Sequence, residues 1–355
     1  LGHDVTLIAT GDAFKNFPAD IKIETKTLKG LQKKWNTATY LLFRKEARSA
    51  GVKRQFFEHS EQLKGHDIVQ LINENPFGAL PGVETEIISF LHKNNKKLFL
   101  LSCGADHLSV RYALSKKARY SILTPYFEGK VSKKQFAPIL RFAKPAYKKL
   151  HGFVFSKIEG VIASDLDYHP PLAGHPKYRG VVPNPINISK LNFKPVKVSG
   201  KVVIFHGINR RNYHKKGSDL FEAALQMVQK KYAQKVETIT VQDVPYAQYI
   251  NSYNRAHILL DQVYAYDQGY NALEAMAKGK VVFTGAETEF KNYYGLTKTV
   301  AVNALPDAQK IAGALGELIE NPSKIEKIAA NARNFIKAHH DHIVVAGRYL
   351  SVWGE

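Results

Sequence analysis

The chain is short of the residues that staple a protein together or carry it across a bilayer. Its 355 residues include one cysteine, Cys103. A lone cysteine excludes an internal disulfide framework and fits a reducing compartment, so a cytoplasmic location is expected. No apolar run approaches the roughly 18 residues that a spanning helix needs. No low-complexity tract or short repeat stands out. No His/Asp cluster has metal-ligand spacing, so neither a metal nor a resident cofactor is expected. Acids are scarce: 31 Asp and Glu face 51 Lys and Arg, for a formal net charge of +20. Such an excess implies attraction to something anionic, whether nucleic acid, anionic lipid or nucleotide-linked phosphate. Basicity kept for solubility alone is the plainer alternative. The sequence has no recognition helix, zinc spacing or aromatic-rich RNA-binding strand, so nucleic acid is not the expected partner.

Apolar runs alternate with helical patterns along the chain. "DIVQLIN" (67–73), "KLFLLSC" (97–103) and "GVIASD" (160–165) read as buried strands, as does "DVTLIAT" in the opening stretch. The preceding "LGH" reads as a helix end, so a strand, turn and helix are expected ahead of Leu1 in a longer protein. After residue 195 the pattern repeats in "KVVIFHG" (201–207), "ETITVQD" (237–243), "AHILLDQ" (256–262) and "KVVFTG" (280–285). Helices are expected at 81–95, 217–232, 246–255, 271–278 and 307–320. Strands alternating with helices of this length predict parallel sheets. The fold class is therefore α/β, with two doubly wound, Rossmann-like domains facing a cleft. The boundaries expected are 1–190, 191–335 and a C-terminal helical segment, 336–355, that crosses back to the first domain. In this architecture ligands sit beyond the carboxyl ends of strands.

Three stretches carry chemistry. In "VVIFHGINRRNYHKKGSDLFEAAL" (202–225) a strand ends in a basic loop and a helix follows. With the strand end expected at Phe205, Gly207, Arg210, Arg211, Lys215 and Lys216 lie beyond it, where cations and helix amides can neutralise a diphosphate; a solvated basic loop is the alternative. In "YDQGYNALEAMAKGK" (266–280) Gly269 permits a turn, Asn271 suits a helix start and Gly279 stops the helix. Backbone N–H groups of Gly269, Tyr270 and Asn271 are expected to point at the ligand. Glu274, one turn in, can accept both hydroxyls of a ribose or simply complement the helix dipole. The third stretch, 130–149, has seven Lys or Arg, no acid and interleaved Phe136, Ile139, Leu140, Phe142 and Ala143. It is either a membrane-facing element whose apolar side chains dip into an anionic bilayer or a basic surface element whose apolar side chains face the core.

Residues 200–290 resemble the donor domain of the GT-B glycosyltransferases, specifically glycosyltransferase family 4. The resemblance lies in strand, basic loop, "KG" and helix, then "VPYAQYINSYNRAHILLDQ", then "GYNALEAMAKGKVVFTG". It implies that Lys216 and Arg210 or Arg211 meet the nucleotide diphosphate. It implies that Glu274 holds the ribose and that Val244 and Tyr246 line the base pocket. The family's acidic motif has a first glutamate eight positions before the second, which contacts the donor sugar. That position is Tyr266 here, and Asp267 is the nearest acid that could substitute. In the first half, Asp106 and His107 of "SCGADHLSV" and Glu74 and Asn75 of "INENPFG" end strands. The resemblance makes His107 a candidate on the acceptor side, while Asp106 suits a helix N-cap equally well.

The activity implied is transfer of a sugar from a nucleotide-diphosphate donor to an acceptor hydroxyl, with retention and without a metal. The acceptor implied is a glycan or a lipid-linked glycan of bacterial surface polysaccharide or glycolipid assembly, met at the inner face of the plasma membrane. Two other functions fit the same residues: a nucleotide-sugar 2-epimerase of GT-B fold, and a non-catalytic sugar-nucleotide-binding scaffold.

Overall fold

The computed structural model describes residues 2–11, 18–25, 30, 46–191 and 193–354, and the backbone alone of 246 and 247. Eleven strands occur among them: β1 (Ile8–Ala9), β2 (Ile21–Lys22), β3 (Ile68–Leu71), β4 (Lys97–Ser102), β5 (Gly160–Ala163), β6 (Tyr178–Val181), β7 (Val202–Ile208), β8 (Val236–Gln242), β9 (Ile258–Leu260), β10 (Val281–Thr284) and β11 (Val302–Asn303). Two compact units form. One gathers Leu1–Val110, Pro138–Ile162 and Gly174–Gly180; the other gathers Arg111–Ala137, Ala163–Ala173 and Val181–Glu355.

In the second unit five parallel strands lie in the order β11-β10-β9-β7-β8. The strands read as continuous apolar runs because both faces are covered. Ile204, Ile258, Val281 and Phe283 pack toward the helices Ser218–Tyr232 and Ala308–Glu320. Their neighbours Phe205, Leu259 and Val282 alternate to the opposite face, onto the helices Tyr270–Ala277 and Pro322–His339. All seven are 2% exposed or less, and each contributes about 1.5–3 kcal/mol by burial. The chain runs from β7 to β8 on one side, then crosses to β9 on the other. The topological switch point therefore lies between the carboxyl ends of β7 and β9.

In the first unit β3, β4, β5 and β6 are neighbours in that order, with β3 and β4 parallel in register Ile68↔Lys97. The expected buried strand "DVTLIAT" is strand only at Ile8–Ala9. It pairs with Ile21–Lys22 in a two-stranded ladder of its own, and Val5 and Leu7 are 78% and 49% exposed. Among the described residues, two ladder positions on a two-residue partner do not bury a seven-residue run.

The basic stretch 130–149 forms a helix at Lys133–Leu140, a short 3-10 turn and a new helix from Pro145. Pro145 at a first helical position starts the second helix rather than interrupting one. Phe136, Ile139 and Phe142 are buried, so these apolar side chains are spent on the interior. The lysines Lys133, Lys134, Lys144, Lys148 and Lys149 are exposed. Among the described residues no helix is long and apolar enough to cross a membrane.

Candidate functional site

The loops after β7 and β9 meet at the switch point. A short helix, Tyr213–Lys216, follows β7 and ends at Gly217, whose φ of 70° is left-handed. A Cβ on Gly217 would lie 2.7 Å from Val263, so glycine is required both for the conformation and for the close approach. Val263 N donates to Lys216 O at 3.0 Å, which ties the two loops together. The helix Ser218–Tyr232 begins directly after this glycine.

Lys216 reaches across to the tip of β9. Its Nζ donates to Asp261 Oδ1 at 2.8 Å. The same oxygen accepts from Asn271 Nδ2 at 3.1 Å, and Asn271 Oδ1 accepts from the Tyr249 hydroxyl at 2.9 Å. Tyr249 can lie there because β7 carries glycine: a Cβ on Gly207 would sit 2.5 Å from the Tyr249 ring. Gly207 therefore has a packing role that supports the site. The Asp261 side chain is 1% exposed, against 34% for Lys216, and its Oδ2 is buried without a hydrogen-bond partner. His206, next to Gly207 and 1% exposed, is pushed down to about 4 by burial and then by the Lys216 charge, against the pull of Asp261. It is neutral at physiological pH.

The helix Tyr270–Ala277 starts at Gly269, which gives it no side-chain cap. Its first N–H groups need a partner from outside the helix, and the dipole favours an anion there. Gly269 has φ −80° and ψ 169°, extended backbone open to any residue, so the turn does not require glycine. A Cβ would come to 3.9 Å from Asp261 Oδ2 and 3.7 Å from the Gln262 amide. Glycine there leaves open the space above the carboxylate. Glu274 lies three residues after Asn271, on the same side of the helix. It pairs with Lys278 at 3.1 Å. Tyr270 is 45% exposed. Arg210 and Arg211 are exposed on the loop after β7, with the Arg210 guanidinium 5.0 Å from the Tyr213 ring centroid. Val244 is half-buried just before the helix Tyr246–Arg255, and the side chain of Tyr246 lies outside the described residues.

Tyr266 and Asp267 turn elsewhere. The Tyr266 hydroxyl accepts from Arg119 N at 2.9 Å, and the Arg119 guanidinium stands 4.8 Å over the Tyr266 ring. Arg119 is fixed in turn by Glu289 at 2.7 and 2.8 Å and by Glu287 at 2.9 Å. Glu287 also accepts from the Tyr120 hydroxyl and from Asn303 Nδ2. Asp267 is 3% exposed, and its oxygens accept from Gln268 N at 2.7 Å and Leu166 N at 3.1 Å. Burial raises its pKa to about 6. Its hydrogen-bonding capacity goes to holding the backbone. The Gly-Lys that ends "YDQGYNALEAMAKGK" is structural too: Gly279 has φ 75°, and Lys280 Nζ donates to Asn254 O at 3.0 Å and Ala256 O at 2.5 Å.

In the first unit Asp106 caps the helix His107–Leu114. Its Oδ1 accepts from Ser109 N at 2.7 Å, while Ser109 Oγ accepts from Asp106 N at 3.0 Å. The other oxygen accepts from Ser102 Oγ at 2.5 Å. That is a reciprocal capping arrangement at the tip of β4. His107 is 7% exposed and its Nδ1 donates to Phe142 O at 2.8 Å. Its backbone N donates to Glu74 Oε2 at 3.3 Å, and Glu74 Oε1 lies 2.5 Å from His151 Nδ1. Burial is the largest influence on Glu74 and raises its pKa despite His151. Asn75 is held by Glu84, which also organises the loop after β3.

Asp261, Tyr249 and His206 were not singled out in the sequence. The available signal was the acid in "ILLDQ", one residue past a buried strand beside the switch point.

The fold matches sucrose-phosphate synthase from Thermosynechococcus elongatus at TM-score 0.59 and 14% identity, over 94% of this chain and 82% of that one. It matches HepE from Anabaena, solved with UDP and glucose, at TM-score 0.55 and 14% identity, over 93% and 85%. It matches a variant of TarM from S. aureus, solved with fondaparinux, alpha-GlcNAc-glycerol and UDP, at 0.58 and 13%, over 84% of this chain and 58% of that one. No curated protein sequence matches the chain. The architecture is thus GT-B, two Rossmann-like α/β units with parallel sheets. Residues 204–351 match the family model described as glycosyl transferase-like, and this stretch contains the whole Lys216–Asp261–Asn271 network. The stretch 204–351 is thus glycosyl transferase-like in sequence.

Proposed function

We propose that the chain transfers a sugar from a UDP-linked donor to an acceptor hydroxyl, with retention of configuration. The observation that carries this is the meeting of Lys216, Asn271 and an uncapped helix N-terminus at the switch point of the second unit. A diphosphate leaving group needs fixed positive charge where its own charge grows. Arg210, Arg211 and Lys216 supply side-chain cations, and the amides of Gly269, Tyr270 and Asn271 supply aligned donors, so the proposal needs no metal. Glu274 takes the ribose hydroxyls and so aligns the donor, a positioning effect. Val244 and Tyr246 border the base. The UDP base is favoured because HepE and TarM were both solved with UDP. In the first unit His107, oriented by Phe142 O and backed by Glu74, is the group offered to the acceptor.

The acceptor proposed is a glycan or lipid-linked glycan of a surface polysaccharide or glycolipid, reached from the cytoplasmic side. The exposed lysines of 130–149 give a charge-based hold on anionic lipid without apolar insertion. The experiment is a thermal-shift panel of nucleoside diphosphates. Saturation at a hundred times the dissociation constant raises stability by about 2.7 kcal/mol. A panel with no response from any nucleoside diphosphate refutes the donor site. Failure to sediment with phosphatidylserine vesicles at low salt removes the membrane contact alone.

A further inference from the structure

Asp261 stands where a donor site of this kind should be most positive. It follows β9 directly, at the switch point, and its carboxylate is 1% exposed. One oxygen is shared by Lys216 and Asn271; the other is buried without a partner beside Gly269, under the uncapped start of the Tyr270 helix. Lys216 and Asp261 together carry no formal charge. An ammonium has three N–H groups, and one of them is already given to the carboxylate. A buried anion beside this helix start also repels any phosphate that approaches it, with little water to screen it.

We infer that Asp261 is the counter-charge of the diphosphate site: it holds the Lys216 head in place and keeps the grip on the diphosphate weak enough for release. This rests on reading Lys216 and the Tyr270 helix start as the diphosphate site. Asp261 acts through Lys216 and through charge, so it is a positioning residue rather than a catalytic one. Tyr249 and Asn271 complete the chain that fixes it. Net attraction for the diphosphate then comes from Arg210, Arg211 and Lys215, which precede Lys216 on the loop after β7. Product release limits many transferases, and a built-in competitor for the lysine shortens the lifetime of the bound product.

The test is calorimetric titration of the full chain with UDP and with UMP. Asp261→Asn keeps the shape and removes the charge. UDP binds about tenfold tighter to it, as expected for loss of one buried like charge, while UMP stays within about twofold. A residue that merely shaped the pocket would weaken UDP when changed. In the same way, Lys216→Met weakens UDP binding, and adding Asp261→Leu to it restores part of the loss. That pair also carries the test if Asp261→Asn does not fold, because an apolar pair can replace a buried ion pair. UDP affinity unchanged or weaker in a folded Asp261→Asn, an equal change for UMP, or no recovery in the double variant overturns the inference. Wild-type protein that binds no nucleoside diphosphate refutes the donor site instead, a different result from binding that is indifferent to Asp261.

Discussion

Glu84 in the first unit and Asp261 in the second are both buried carboxylates beside the loop at a strand's carboxyl end, but their partners differ in kind. One Glu84 oxygen accepts from Asn75 Nδ2 at 3.0 Å, Phe77 N at 3.2 Å and Ala79 N at 2.8 Å. These donors belong to the loop after β3, and burial pushes Glu84 up to about 8. Asp261 takes a one-third-exposed ammonium and a side-chain amide, and each of the two acids leaves its second oxygen buried without a partner. Glu84 locks a loop with neutral donors. Asp261 holds a charge that a ligand can share. The first arrangement makes a scaffold, and the second leaves capacity for binding.

The largest expected effect separates the two. Glu84→Ala leaves two backbone N–H groups and an amide without their acceptor, at about 1–3 kcal/mol each, or roughly 3–5 kcal/mol in all after relaxation. Denaturant unfolding should show that loss while the UDP-induced stabilisation keeps its size. A loss of UDP response with Glu84→Ala would erase the distinction between lock and binding group.

Lys216→Ala comes next. Breaking a fully buried pair costs about 3–5 kcal/mol, but Lys216 is one-third exposed and water can reach the vacated position, so about 2 kcal/mol is expected. Here stability and UDP response fall together, and thermal melts with and without UDP check both.

The pH response of Glu84 is smaller and has a definite sign. Its folded pKa lies above the ordinary 4.5, so its stabilisation is complete below about 4.5 and fades as pH rises toward about 8. Glu84→Gln keeps the accepting oxygen and cannot ionise. Melting temperatures of wild type and Glu84→Gln should nearly coincide at pH 5, with the wild type falling behind by pH 8. Parallel curves across that window would show that Glu84 does not titrate there.

Much of this contrast could be read in the sequence, and some could not. Strands such as "KVVIFHG" and "KVVFTG" are legible because strands covered on both faces are apolar throughout. Lys216 and the helix start at 270 follow from a cation beyond a strand and from Gly-Tyr-Asn ahead of a helix former. Asp261 escapes because an acid after an apolar run reads as a solvent-facing strand end; burial is decided by Lys216, 45 residues earlier. Tyr266 could be seen as a departure from an acidic motif, but its partner Arg119 is 147 residues away. "DVTLIAT" shows the opposite failure, since among the described residues a run that reads as buried pairs with a two-residue strand. Local pattern fixes elements, while the charge state of a site depends on contacts that sequence spacing does not encode.

Tyr249→Phe is the finest probe of the same contrast. The change removes a hydroxyl and leaves the ring that packs over Gly207. Its cost to stability is that of one part-buried hydrogen bond, about 0.5–1.5 kcal/mol. The released Asn271 amide can rotate away from Asp261 Oδ1, which leaves Lys216 as that oxygen's main partner and draws the ammonium closer to the carboxylate. UDP should then bind about threefold more weakly, since a lysine held harder by its counter-charge is shared less readily. Asp261→Asn in the Tyr249→Phe background should remove that threefold difference, because no anion remains to claim the lysine. If Tyr249→Phe weakens UDP equally with and without the Asp261 charge, the tyrosine acts on the pocket's shape alone and the four-residue chain is not one electrostatic unit.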